Sequence, residues 1–217
     1  MLTPLRTFPV SGLLFDNDGV LSDSLEQAIL AWKRWALTYA PGYDVDAEFE
    51  HGIPARVLIA RLVAPELAEE AFDALEQDEI AVSHDTRPLS GARELTASLP
   101  ADRWAVVTSA TPELARMRLT AAGITAHVVI TADDVVNGKP HPEPYLAGAK
   151  AIDVDPAQCV VFEDAPAGIR AALAAGVGVV VGIGSDVDGA GATVIVDSLA
   201  QISWADDVLS VRNFRLG

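Results

Sequence analysis

The chain has 217 residues, half of them apolar, enough for one generous core or for a core carrying a smaller inserted domain. Asp and Glu outnumber Lys and Arg 31 to 15, and the resulting net charge of −16 opposes non-specific contact with nucleic acid or anionic lipid. A single cysteine, Cys159, excludes an internal disulfide and any multi-cysteine zinc site.

In chain order, the segment MLTPLRTFPV has no apolar core of signal-peptide length, and no later run reaches the roughly 18 apolar residues of a membrane span. These features, with the lone thiol, predict a cytoplasmic protein with no membrane partner, and the acidic surface leaves a monomer as reasonable as a dimer. Val10–Asp16 reads as a short buried strand. Four later runs look alike: WAVVT (104–108), HVVI (127–130), CVVFE (159–163) and VGVVVGI (177–183). Each is continuously apolar instead of alternating, as in strands covered on both faces by helices. Helical patterns lie between them at Gly91–Leu99, Pro112–Ala122, Pro142–Ala151 and Pro166–Ala175, three with proline at or near the first turn. Strand and helix in alternation predict an α/β fold, a doubly wound parallel sheet of Rossmann-like type with ligands at the carboxyl ends of its strands.

Residues 24–86 break that rhythm and read as wholly helical. Asp23 and Glu26 suit an N-cap and its N3 partner. Leu25, Ala28, Ile29, Trp32, Trp35, Ala36 and Tyr39 follow a 3.6-residue stripe, with further helices at 54–62 and 66–83. The expected organisation is a core of residues 1–23 and 87–217 with a helical cap of residues 24–86 inserted after the first strand, hinged near Asp23–Ser24 and Thr86–Ser90.

Four strand ends carry chemistry. Asp16 and Asp18 repel one another unless a cation sits between them, and a hard divalent ion takes such oxygen ligands; a polar turn around Gly19 is the other reading. In VVTSAT (106–111), Thr108 offers a hydroxyl and Ser109 an amide just before a helix, which is a phosphate site or an ordinary cap. Lys139 stands in the stiff loop NGKPHPEPY, where it either offsets anionic charge or is solvated. Glu163 and Asp164 close CVVFE and either complete a metal site or cap the following helix. The gaps from Asp18 through Thr108 and Lys139 to Asp164 are 90, 31 and 25 residues, and all four places converge on one edge of the expected sheet.

With these motifs in place, FDNDGV, VVTSA, GKPHPEPY and VFEDAPAG, the chain resembles the haloacid dehalogenase superfamily of phosphotransferases over essentially its whole length. The stretches SHDTRPLSGARELTASLPADRWAVVTS, ITADDVVNGKPHPEPYL and VVFEDAPAGI, with HGIPAR in the cap, are similar to the sugar and polyol phosphatases of that superfamily, among them glycerol 3-phosphate and 2-deoxyglucose 6-phosphate phosphatases. The resemblance implies magnesium as cofactor and a small phosphorylated metabolite as substrate. It implies Asp16 as nucleophile and Asp18 as acid and base. Asn17, Thr108, Ser109 and Lys139 would bind phosphate. Asp16, Asp164 and the backbone carbonyl of Asp18 would hold the metal, with Glu163 behind them. His51, Gly52 and Arg56 are the expected cap residues facing the leaving group.

Three rivals share parts of this pattern. Beta-phosphoglucomutases carry a histidine ten residues after the second Asp, where this chain has Ala28, and a lysine late in the cap, whereas 66–83 contains neither Lys nor Arg. A dehalogenase has no use for Asp18. A phosphoacceptor signalling module lacks an inserted helical domain of about 60 residues after its first strand.

Overall fold

A computed structural model of the protein describes residues 5–217; residues 1–4, which the expectations above included, lie outside the described residues. Strands β1 (Leu5–Pro9) and β2 (Gly12–Phe15) open the chain, and β3 (Ser22–Asp23) leads into the helical segment. That segment holds α1 (Leu25–Tyr39), α2 (Val45–Glu48), α3 (Ala55–Leu62) and α4 (Ala68–Val82), and β4 (Arg87–Pro88) leaves it. The remainder alternates: α5 (Ala92–Ser98), β5 (Trp104–Val107), α6 (Pro112–Ala122), β6 (Val129–Ile130), α7 (Glu143–Ala151), β7 (Cys159–Glu163), α8 (Pro166–Ala174), β8 (Val179–Ile183) and β9 (Val194–Val196). The antiparallel strands β10 (Ile202–Ala205) and β11 (Val208–Arg212) end the chain.

Six strands form one parallel sheet in the order β6-β5-β2-β7-β8-β9. The continuous apolar runs have the cause expected of them: every residue of β2, β5, β7 and β8 is buried. Alternate residues of β2 serve opposite faces. Leu13 and Phe15 pack in one cluster with Trp104, Val106, Leu119 and Phe162, while Leu14 packs in the other with Val107, Tyr145 and Ile169. Phe15 stacks on Phe162 at 4.6 Å between centroids and meets Trp104 edge-on at 5.8 Å. Because β2 is central and flanked by β5 and β7, the residues following these three strands are neighbours at the carboxyl edge.

The helical cap builds a third apolar cluster on Trp32, Trp35, Leu58, Ile59, Phe72 and Leu75, which Ala167 of α8 joins from the core, with Trp35 Nε1 donating to the Ala71 carbonyl at 2.7 Å. Its two connections to the core run side by side as a short antiparallel ribbon, Ser22 opposite Pro88 and Asp23 opposite Arg87.

Three local expectations need correction. The N-cap of α1 is Ser24, not Asp23, and its side chain makes no capping bond. The Ser24 hydroxyl donates to Asp18 instead, and Asp23 lies outside the helix in extended backbone, so site chemistry overrides the cap. HVVI is strand only at Val129–Ile130, a half-buried edge. After residue 183 the chain adds a sixth parallel strand, β9, and the strands β10 and β11, which join β1 in a separate antiparallel sheet, β1-β11-β10, that the apolar runs do not announce.

Candidate active site

β2, β5 and β7 deliver Asp16, Thr108 and Asp164 to one edge of the sheet, and the loop after β6 brings in Lys139. Lys139 Nζ lies 2.9 Å from Asp16 Oδ1 and 2.6 Å from Glu163 Oε1, with its side chain wholly withdrawn from solvent. Glu163 is equally buried; it also accepts from the Tyr145 hydroxyl at 2.7 Å and from the Ala165 amide at 3.1 Å. With three donors already on it, Glu163 acts as an anchor for Lys139 and has little capacity left as a metal ligand.

Asp16, Glu163 and Asp164 each present a ligand atom within 4.8 Å of the others. Two buried side-chain polar atoms among the described residues lack a hydrogen-bond partner, and both belong to this site: Asp164 Oδ1 and Arg118 Nε. A buried carboxylate oxygen without a donor is costly and calls for a cation. Gly19, with φ at +79°, gives it room, since a methyl built on Gly19 would collide with the Asp164 carboxylate. The donor set is all oxygen, and a hard divalent ion such as magnesium fits it.

The electrostatics agree. Burial pushes the Asp16 carboxyl up to about 7, with Lys139 pulling it down and Glu163 and Asp18 pushing it further up. Burial, then Asp16 and Glu163, hold Asp164 well above the usual carboxylate range. Burial opposes the charge on Lys139, but Asp16 and Glu163 outweigh it and raise the ammonium above its ordinary value. This nest of carboxylates has one buried ammonium at its centre and room for further positive charge.

Asp18 is the most heavily bonded member. Its Oδ1 accepts from Ser24 Oγ and from Asn17 Nδ2 at 3.3 Å and pairs with Arg118 Nη1 at 3.0 Å, while Oδ2 has, among the described residues, only Thr108 Oγ1 at 3.5 Å. The Asn17 side chain also receives Ser22 Oγ at 2.9 Å and is fully buried, so it shapes the turn. Thr108 Oγ1 accepts from the Ala110 amide at 3.1 Å, and Ser109 Oγ donates to the Gly52 carbonyl at 2.8 Å.

The cap loop therefore meets the core at Ser109. His51 Nε2 stands 3.4 Å from the Asp164 carbonyl and 3.6 Å from Asp164 Oδ2, whereas Gly52 has φ at +83°. Arg56 lies over the Phe72 ring at 3.7 Å and forks onto Glu69 at 2.7 and 2.9 Å, on an exposed part of the cap. Between cap and core is a cavity of about 330 Å³ whose wall includes Asp18, Trp32, His51, Phe72, Glu79 and Arg118.

Arg118 and Glu79 are absent from the motif reading above, although the sequence carries a signal for them. Arg118 falls on the buried stripe Leu114, Ala115, Arg118, Leu119, Ala122 of α6, and Glu79 on the stripe Ala71, Phe72, Leu75, Glu79 of α4. A charge on an apolar stripe is rarely buried without a partner.

The family model described as haloacid dehalogenase-like hydrolase matches residues 10–176. Hexitol phosphatase A of Escherichia coli (strain K12) is 39% identical over 172 residues, covering 76% of this chain and 79% of that protein. 2-deoxyglucose-6-phosphate phosphatase 1 of Saccharomyces cerevisiae is 37% identical over 231 residues, covering 92% of each. Among solved structures, a hydrolase from Pseudomonas syringae superposes with a TM-score of 0.79 at 27% identity, covering 88% of this chain and 94% of that one.

Proposed function

The chain belongs to the haloacid dehalogenase-like hydrolases and is a phosphatase, and on that premise we propose that it hydrolyses a small sugar or polyol phosphate monoester with magnesium, through an aspartyl-phosphate on Asp16. One observation carries this reading: Lys139 and Asp16 face each other at 2.9 Å beside an Asp164 carboxylate whose Oδ1 has no partner.

The phosphoryl group binds against Lys139, the Thr108 hydroxyl and the Ser109 amide, with Asn17 fixing the turn that presents Asp16 and Asp18. Asp16 attacks phosphorus in line, forming a carboxylate oxygen–phosphorus bond as the ester bond to the substrate oxygen breaks. The departing oxygen takes the proton of Asp18 and leaves as an alcohol. Water then attacks phosphorus, giving its proton to Asp18, the aspartyl bond breaks, and phosphate departs with Asp16 restored. Asp16, Asp164 and the Asp18 backbone carbonyl would hold the magnesium, which supplies positive charge to the phosphoryl oxygens. Glu163 holds Lys139 in place from behind.

The cap closes over the leaving group. Its apolar wall, with Trp32 and Phe72, excludes water while Asp16 attacks. His51 and Gly52 place the cap loop at the phosphate end of the cavity; Arg56 contributes through its stack on Phe72. A phosphohexomutase is the second reading, and Ala28, at the wall of this cavity, is the observation against it, because no imidazole stands there.

The test is phosphate release from a panel of polyol, hexose and nucleoside monophosphates, with and without magnesium, for the wild type and Asp16→Asn. Magnesium-dependent release from polyol or hexose phosphates, lost in the variant, is expected. Conversion of glucose 1-phosphate to glucose 6-phosphate without free phosphate would replace the hydrolase by the mutase.

A further inference from the structure

Arg118 joins two carboxylates from different parts of the molecule. It lies on core helix α6, is 5% exposed, pairs through Nη1 with Asp18 Oδ1 and donates through Nη2 to Glu79 Oε1, each at 3.0 Å. Glu79 is on cap helix α4 and is 7% exposed. Neither residue belongs to the four strand-end motifs.

Three groups crowd one oxygen of Asp18: Ser24 and Asn17 donate hydrogen bonds to Oδ1, and the Arg118 guanidinium pairs with it. Its other oxygen has only the long contact to Thr108 at 3.5 Å. A carboxyl whose Oδ1 is committed to donors can carry its transferable proton only on Oδ2. Arg118 also keeps its Nε buried and unpartnered, a cost more readily explained at a working site than in a structural ion pair.

We propose that Arg118 is a positioning residue that locks the Asp18 carboxyl through Oδ1, making Oδ2 the oxygen that delivers the proton to the leaving alcohol. Glu79 in turn holds the guanidinium, so the aim of the acid depends on the cap helix being seated. The proposal rests on Asp18 acting as the acid, as argued above, and the experiment separates the two.

The probes are the sugar or polyol phosphate hydrolysed fastest in the panel, whose alkoxide must be protonated to leave, and p-nitrophenyl phosphate, whose phenolate leaves without a proton. The variants are Asp18→Asn, Arg118→Lys, Glu79→Gln and the paired Arg118→Met/Glu79→Met, which removes both charges together and avoids leaving one buried alone. General acid catalysis is worth on the order of 10²–10⁴-fold. For the paired variant, kcat/KM, which reports only formation of the aspartyl-phosphate and not the later step in which Asp18 serves as base, should fall roughly 10–100-fold on the alkyl phosphate but less than about threefold on p-nitrophenyl phosphate, a partial share of the acid effect. Glu79→Gln keeps an acceptor for Nη2 and should retain both activities.

Equal losses of kcat/KM on both substrates, or no loss on the alkyl phosphate, would overturn the positioning role. Should the paired variant not fold, Arg118→Lys, which keeps the charge but cannot bridge both carboxylates, is read by the same ratio. If kcat/KM of Asp18→Asn itself shows no preference for the better leaving group, the acid assignment fails. If Asp18→Asn shows it and the Arg118 variants do not, only this inference fails.

Discussion

Lys139 Nζ and Asp16 Oδ1 stand 2.9 Å apart with neither side chain more than 6% exposed, and the same ammonium reaches Glu163 at 2.6 Å. One cation thus neutralises part of a buried anionic nest. Lys139→Met leaves Asp16 and Glu163 facing each other without it. Removing one partner of a buried ion pair costs about 3–5 kcal/mol. A matching fall in urea-denaturation stability, with loss of phosphate release, is expected; a variant as stable as the wild type would show that this lysine is not compensating the nest.

The pH dependence of stability should report the same nest. Without metal, burial pushes the folded Asp16 carboxyl up to about 7, against 3.8 for an exposed aspartate, and Asp164 is shifted in the same direction. Between these values folded Asp16 keeps a proton that the unfolded chain has released, so its contribution to the unfolding free energy falls as pH rises through about 4 to 7, and Asp164 acts in the same sense. Lys139, raised above its ordinary value, contributes a constant amount throughout that window. The metal-free protein should therefore melt higher at pH 5.5 than at pH 8, and magnesium should raise the melting temperature most at pH 8. Calorimetry at both pH values, with chelator and with magnesium, checks this, and Asp16→Asn should flatten much of the difference.

Gly52 tests the fit of cap to core. Its φ of +83° costs an alanine roughly 1–2 kcal/mol. A methyl there would also stand 2.6 Å from the Ala165 Cβ. Gly52→Ala should lower the melting temperature by only a few degrees, an effect on the order of 1–2 kcal/mol, but cut kcat/KM about tenfold by lifting the loop that carries His51 and bonds Ser109. Steady-state kinetics beside a thermal melt separate the two effects.

Much of this was legible because buried parallel strands announce themselves as unbroken apolar runs. CVVFE is a strand over its full length, and α6 begins and ends at Pro112 and Ala122 as its pattern predicts. Asp16, Asp18, Glu163 and Asp164 were legible because they close or directly follow such runs, whereas Lys139 stands nine residues beyond the end of β6 and was legible only from its stiff loop. What stayed hidden depends on tertiary pairing. Ser24 could not be told from Asp23 as the N-cap until Asp18 was seen to claim its hydroxyl. Strands β10 and β11 are short and largely exposed on one face, so they lack the unbroken run that marks the core. Tyr145, inside an unremarkable helix, is revealed as a donor to Glu163 only by the packing of α7 on the sheet. Arg118 and Glu79 each interrupt an apolar stripe, yet nothing in the sequence says that they interrupt it at the same place.

The most direct test is chemical. Wild-type protein turning over a ³²P-labelled sugar or polyol phosphate with magnesium is quenched in acid during the steady state, digested and mapped. The account predicts label on the peptide bearing Asp16, lost in Asp16→Asn. Sustained phosphate release with no label on that peptide, or with label on another residue, would contradict it.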